Sequence, residues 1–223
     1  MNAERGARSV EQARVLVLFA VREEAKHFQP PPGVECTVVV SGIGRRNAER
    51  ALLGALESFK PELVLTCGFA GGLNPGLANG TIAFEADEGF PLAPALPQAG
   101  ARPVKFFCSD RIVVTTEEKH ALRLQSGADA VEMESGAIRA ICREREIPSA
   151  TLRVISDDAN TNLPMDFNQL AGADGNMNYL KLAAALAKSP SLVPGLMKFQ
   201  RELDGCSRKL AAALRELLVR LAG

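Results

Sequence analysis

Acidic residues gather at places where a chain could do acid–base chemistry. Glu23 and Glu24 follow the apolar run RVLVLFAV, Glu132 and Glu134 alternate in VEMES, and Asp157 lies in the SDD that ends SATLRVISDD. A carboxyl group can take or give a proton at a reacting centre, and a pair of acids beside one crevice can do both. Alternate residues of an extended segment share a face, so Glu132 and Glu134 point the same way if VEMES is extended. Each acid taken singly has an ordinary explanation as a helix cap or a solvated turn. Glycines mark neighbouring places. SGIG (41–44) and GFAGG (68–72) close apolar runs, where a missing Cβ either admits a ligand close to the backbone or simply lets the chain turn. The amides around Ser41 and Gly42, with Arg45 at a helix start, form a candidate phosphate or anion site. Arg45 and Arg46 read equally well as solvated helix charges.

These residues need elements to hold them. The unbroken run from Arg14 to Val21 predicts a strand covered on both faces. CTVVVSGIG predicts a second such strand, ELVLTCGFAGGL a third, and TIAFEADEGF a looser one. Between them RRNAERALLGALESF is an amphipathic helix with Ala48, Ala51, Leu52, Ala55 and Phe59 on one face. Residues 91–104 read as an irregular loop. RIVVTT predicts a short strand and EEKHALRLQSG a helix closed by Gly127. ADAVEMESGAIRAICRERE combines a short strand with a helix that stops before Pro148, and SATLRVISDDAN is the last strong strand.

Strands alternating with helical crossovers imply an α/β fold: three αβα layers around a mixed, mostly parallel central sheet. In such sheets, ligands gather outside the carboxyl ends of the strands, where the acids and glycines fall. The expected division is a flexible N-terminus over 1–13, a catalytic domain over 14–177, and a C-terminal helical extension over 178–223 packed on it. In that extension Leu196, Phe199, Leu203, Cys206, Leu210, Leu214, Leu217 and Leu221 fall near one helical face.

Composition excludes several classes. The 223 residues carry no formal net charge, so nothing global points to nucleic acid. The five cysteines are scattered without a CxxC pair, and there are only two histidines. This predicts reduced thiols and no metal site. The polar start of the chain lacks a signal-peptide core, and no apolar stretch is long enough to span a bilayer. A cytoplasmic protein is expected.

Taken together and in order, the motifs resemble the nucleoside phosphorylase/nucleosidase superfamily, and within it the methylthioadenosine/S-adenosylhomocysteine nucleosidases. The resemblance runs from Arg14 to about Asn160, through the strand ending in Glu23-Glu24, SGIG, PELVLTCGFAGGLNPGLANGTI, VEMESGAI and IPSATLRVISDDA. It implies cleavage of the N-glycosidic bond of a purine nucleoside, with adenine as the base. By position, Glu24 corresponds to the acid that activates the attacking water. Glu134 corresponds to the acid that accepts hydrogen bonds from the ribose hydroxyls, with Met133 against the sugar and Glu132 beside them. Asp157 corresponds to the acid that protonates the leaving purine, oriented by Ser156, and Ala70 and Gly71 belong to the turn that approaches the ligand. The resemblance implies no cofactor, with inorganic phosphate as the alternative co-substrate, and a homo-oligomer such as a homodimer.

Departures leave choices open. Phe69 replaces a serine of many nucleosidases, while Thr66 and Cys67 stand where phosphorylases place an arginine for phosphate, so hydrolysis and phosphorolysis both remain. The stretch from Phe90 to Val131 is short for a nucleosidase cover and suggests an open 5′ side. That feature, with EEKHAL and the basic C-terminal helices containing SPSLVPGLMK, is similar to the hopanoid-associated phosphorylases, which are associated with adenine release from adenosylhopane. A lipid-linked nucleoside would suit a basic helix in peripheral membrane contact; the plainer expectation is a helix packed on the domain or in a dimer interface. The alternatives are a soluble methylthioadenosine/S-adenosylhomocysteine- or futalosine-type nucleosidase, and a nucleoside-binding protein without turnover.

Overall fold

A computed structural model describes residues 12–170 and 188–221 of the chain. The expected flexible N-terminus over 1–13 falls almost wholly outside the described residues, as does most of the predicted helix NYLKLAAALAK.

Among the described residues eight strands form one sheet: β1 (Arg14–Phe19), β2 (Glu35–Val40), β3 (Leu63–Gly72), β4 (Ile82–Ala86), β5 (Arg102–Pro103), β6 (Phe106–Cys108), β7 (Ala130–Glu132) and β8 (Ser149–Asp157). The main order is β2-β1-β3-β8-β4-β5, with β7 added to the end of β3 and β6 to β7. Five pairings are parallel; β4 with β8 and β7 with β3 are antiparallel. The sheet is mixed and mostly parallel.

The unbroken apolar runs have a simple cause. Alternate residues face opposite layers, and both layers are covered. Val15, Val17 and Phe19 of β1 pack in one core cluster, while Leu16 and Leu18 pack in the other. On the second side lie α2 (Arg45–Ser58) and α4 (Ser135–Glu144), which bring Ala48, Leu52, Ile138 and Cys142 to the core. On the first side lie the one-turn α1 (Arg22–Ala25) and the C-terminal helix α5 (Leu192–Val219). Cys206, Leu210, Leu214, Leu217 and Leu218 of α5 are buried in the same cluster as β1, β3 and β8.

Three strand expectations change, the first being that the loop read over 91–104 holds the two-residue strand β5 at its end. RIVVTT is not a strand; the strand lies just before it, in β6. Asn168 donates to the Ile112 carbonyl and accepts from its amide, both at 2.9 Å, so a side chain satisfies the backbone groups a ladder would have used. Val114 likewise receives Leu163 at its carbonyl and gives its amide to Glu118. The second strand is also less covered than its sequence suggests. Among the described residues β2 is an edge strand paired only with β1, and Val38 and Val40 are exposed.

Helix α3 (Thr116–Ser126) begins and ends as its sequence dictates. Thr115 and Glu118 form a capping box, and Gly127 closes the helix at φ 64°.

Candidate active site

The site is built at the carboxyl ends of β1, β3 and β8. After β1 the chain makes the single turn α1, and Glu24 curls back inside. Its Oε2 accepts from the amides of Ala20 (2.7 Å) and Val21 (3.1 Å), and its Oε1 accepts from the Phe69 amide of β3 (2.8 Å). Glu24 therefore serves its helix start and also reaches a neighbouring strand. It is only 4% exposed. Burial pushes its carboxyl above the usual range, against the pull of Arg153 and the amides.

The VEMES pair converges, though not as two residues of one strand. Glu132 ends β7, and Glu134 sits at the start of α4 with φ −126° and ψ −37°. Both reach Arg153, whose Nη2 lies 2.7 Å from Glu132 Oε2 and 3.2 Å from Glu134 Oε2. Glu132 also receives the amides of Glu134 and Ser135 and the Ser135 hydroxyl. It is the better-anchored acid of the two. Glu134 Oε1 accepts from the Gly44 amide at the start of α2 (2.8 Å). Burial pushes Glu134 up to about 7, opposed by Arg153 and helped by the charges of Glu132 and Glu24. Met133 stays partly exposed between them.

Arg153 organises this half of the site, and sequence reasoning assigns it no role. It is 1% exposed in the middle of β8, opposite Gly68 in the parallel register. It also donates to the Cys67 carbonyl and the Thr66 hydroxyl. Gly68 makes room for it. A Cβ there would overlap both the Arg153 guanidinium and the Glu24 carboxylate. The signal was available: Arg153 is the one charge inside the otherwise uncharged SATLRVIS.

At the other end of the same strand pair, Asp157 is 6% exposed. The Ser156 hydroxyl donates to its Oδ1 (2.6 Å) and also approaches the Ala70 carbonyl. The Lys119 ammonium lies 2.6 Å from its Oδ2. Burial pushes Asp157 up, while Lys119 and Ser156 oppose the shift without cancelling it. Gly71 leaves the space above it: an added Cβ would come within 3.3 Å of Asp157 Oδ2. Behind Ser156, the Asn79 amide donates to its carbonyl (2.8 Å), and Cys206 of α5 touches Asn79. Ser207 of α5 donates to the Glu24 carbonyl (3.1 Å). α5 thus supports both ends.

Gly68, beside Glu24 and Arg153, and Gly71, beside Asp157, are three residues apart along β3, which spans about 10 Å at strand rise.

The candidate anion site is differently disposed. Gly42 turns at φ 87°, and the Ser41 hydroxyl donates to the carbonyls of Phe19 and Gly42. Arg45 is half exposed and stands 3.9 Å from Asp110. The helix-start amide of Gly44 is given to Glu134 rather than left open. Gly44, not Ser41 or Gly42, is thus tied to Glu134, while the Arg45 side chain faces Asp110.

Comparison with known proteins identifies the family. The model of the phosphorylase superfamily matches residues 26–85 and 97–188, more than half of the chain. The chain belongs to the phosphorylase superfamily. The superfamily match takes in Glu132, Glu134 and Asp157 and opens two residues after Glu24. The 5′-methylthioadenosine/S-adenosylhomocysteine nucleosidase of Shewanella pealeana is 24% identical over 188 residues, 69% of this chain and 82% of the relative. That of Listeria innocua is 28% identical over 174 residues, 61% and 75% of the two chains. Among solved structures, futalosine hydrolase of Helicobacter pylori superposes with a TM-score of 0.67 at 18% identity, covering 94% of this chain and 98% of that one. A nucleosidase from Colwellia psychrerythraea, solved with adenine, gives 0.68 at 18% identity, covering 95% and 96%. These superpositions establish the superfamily's fold.

Proposed function

We propose that the protein hydrolyses the N-glycosidic bond of a purine nucleoside, with adenine as the base. The observation that carries this reading is the set of three buried carboxyl groups, Glu24, Glu134 and Asp157, supplied by three elements to one strand-end floor. Glu24, held at the α1 end, takes a proton from the attacking water. Glu134 offers carboxylate oxygens to the ribose hydroxyls, because one carboxylate can accept from two donors; Met133 lies against the sugar. Asp157 protonates the departing purine, with Ser156 fixing its rotamer. Glu132 and Arg153 hold Glu134 in place, and the backbone at Ala70 and Gly71 forms the floor.

Water is favoured over phosphate as the nucleophile by the use already made of the positive groups. The Gly44 amide and Arg153 are both engaged by Glu134, and a phosphate would have to compete with that buried carboxylate. The relatives' names, methylthioadenosine/S-adenosylhomocysteine nucleosidase and futalosine hydrolase, support hydrolysis of purine nucleosides with varied 5′ groups.

A finer reading concerns that 5′ group. The short stretch from Phe90 to Val131 and the similarity to hopanoid-associated phosphorylases support a large, lipid-linked substituent, as in adenosylhopane. Membrane contact through α5 is less well supported, because its apolar face lies in the core. We take the protein to act as a homo-oligomer in the cytoplasm, needing neither cofactor nor metal.

The test is adenine release from 5′-methylthioadenosine, S-adenosylhomocysteine and adenosylhopane, each with and without phosphate. Release without phosphate is the expected result. Strict phosphate dependence would overturn hydrolysis, and no release from any nucleoside would favour a binding protein.

A further inference from the structure

Lys119 has no place in the scheme so far, yet it is the most enclosed charge beside the site. It lies in α3 between the polar residues Glu118 and His120, where the sequence reads as a solvated helix face. Instead its side chain is 0% exposed. Its ammonium has three N–H donors, and three acceptors surround it: Asp157 Oδ2 at 2.6 Å, the Asp158 carbonyl at 2.7 Å and the Thr161 carbonyl at 2.7 Å. A buried ammonium without such partners would be strongly disfavoured, so the capped helix start and the turn after β8 must be matched to it.

We propose that Lys119 is a positioning residue that sets the strength of Asp157 as the acid for the leaving group. This rests on the hydrolytic reading given above. When the bond from sugar to base breaks, its electron pair goes to the purine, and a proton moves from the Asp157 carboxyl to a ring nitrogen of that purine. The water that adds to the sugar loses its proton to Glu24. Asp157 becomes a carboxylate at the moment the base departs, and the ammonium already at Oδ2 stabilises that charge without reorganising. An interaction that is strongest with Asp157 ionised is worth more at the transition state than with the protonated acid of the ground state.

The groups facing Asp157 can be named. Lys119 comes from α3, Ser156 and Asp158 adjoin it on the chain, and Cys206 approaches from α5. Only Lys119 among them brings a positive charge. Removing that charge disfavours the carboxylate, so the acid stays protonated to higher pH but gives up its proton less readily.

The experiment compares wild type with Lys119→Met on two substrates: an adenine nucleoside, whose base needs a proton to leave, and 4-nitrophenyl riboside, whose leaving group does not. The expected result is a loss of roughly 100-fold in kcat on the nucleoside, the scale of general acid catalysis, with the nitrophenyl rate changed only a few-fold. The alkaline limb of the nucleoside profile should also move to higher pH. Lys119→Arg, which keeps the charge, should retain the wild-type limb. Should the Met variant not fold, Lys119→Gln takes its place, since its amide can still donate to the Asp158 and Thr161 carbonyls without carrying charge. Equal losses on both substrates, or an alkaline limb that does not move, would overturn the proposal and reduce Lys119 to a structural tie. Failure of the underlying hydrolytic reading shows separately, as a wild-type protein that releases no base or releases it only with phosphate.

Discussion

Acids of this chain differ in what surrounds them, and the direction of their pKa separates two kinds. Asp87 is pushed up by burial, but Arg139, Ser149 and Arg143 overcome that and hold it below the usual range; it is a structural anchor between β4, α4 and β8. Glu24, Glu134 and Asp157 end above their usual range, because burial outweighs their partners. Acids pushed above their usual range by burial are candidates to exchange protons during a reaction. On this basis Asp157→Asn is expected to lower kcat by about 100-fold or more while changing the affinity for an unreactive adenosine analogue only a few-fold. Single-turnover rates and analogue titration measure the two; activity within a few-fold of wild type would exclude the leaving-group role. The same shifts bear on stability. A carboxyl whose folded pKa lies above its unfolded value holds extra protons in the native state between the two values. For Glu134 that window runs from 4.5 to about 7, and Glu24 and Asp157 act in the same direction. Stability against urea should therefore fall as pH rises through this window, and Glu134→Gln should make the fall shallower. A slope unchanged in that variant would mean Glu134 is not the group titrating.

Elements matter here through the ends they offer. The carboxyl end of β3 carries no large side chain at Gly68, Ala70, Gly71 or Gly72, and its neighbours fill the space instead. Gly68 is the sharpest case, since its φ of 153° and the two charged groups beside it both resist a side chain. Gly68→Ala is expected to destabilise the fold by about 1–3 kcal/mol, as overpacking of a tight interior does, and to abolish activity by displacing Glu24 and Arg153 together. Thermal melts and turnover measure these effects; a fully active Ala variant would show that the carboxylate and guanidinium need not stay where they are. Much of this was legible in the sequence. The run CGFAGG announces a close approach by backbone, and VEMES announces paired acids. What sequence could not supply is that Glu132 and Glu134 meet through Arg153 rather than by facing one way on a strand. It also could not reveal that Ile112 of RIVVTT has its backbone satisfied by Asn168, a partner 56 residues away.

At the scale of the whole molecule, the question is whether the C-terminal helix is an appendage. Its residues Leu210, Leu214 and Leu217 are fully buried in the cluster that also holds β1, β3 and β8. Ser207 and Cys206 reach towards Glu24 and Ser156 from the same face. We therefore expect the helix and the catalytic region to fold as one unit. Deleting residues 189–223 should abolish the cooperative thermal transition, because burying a single leucine contributes about 2–5 kcal/mol and several are lost at once. A deletion variant that melts cooperatively near the wild-type temperature would show an independent extension.

The amino-acid sequence by itself determined the alternation of strands and helices, the two-sided burial of the sheet, and the acids and glycines at its carboxyl ends. These follow from local periodicity and from residue type, which act over a few neighbours. Tertiary structure decided the partners: Arg153 between Glu132 and Glu134, Gly44 on Glu134, and Lys119 on Asp157. Lys119 and Asp157 are 38 positions apart, and nothing in the hydrophobic pattern marks an ammonium in EEKHAL as buried. A charge goes inside only where the assembled fold brings it enough acceptors, and that match exists only once α3 and β8 have come together.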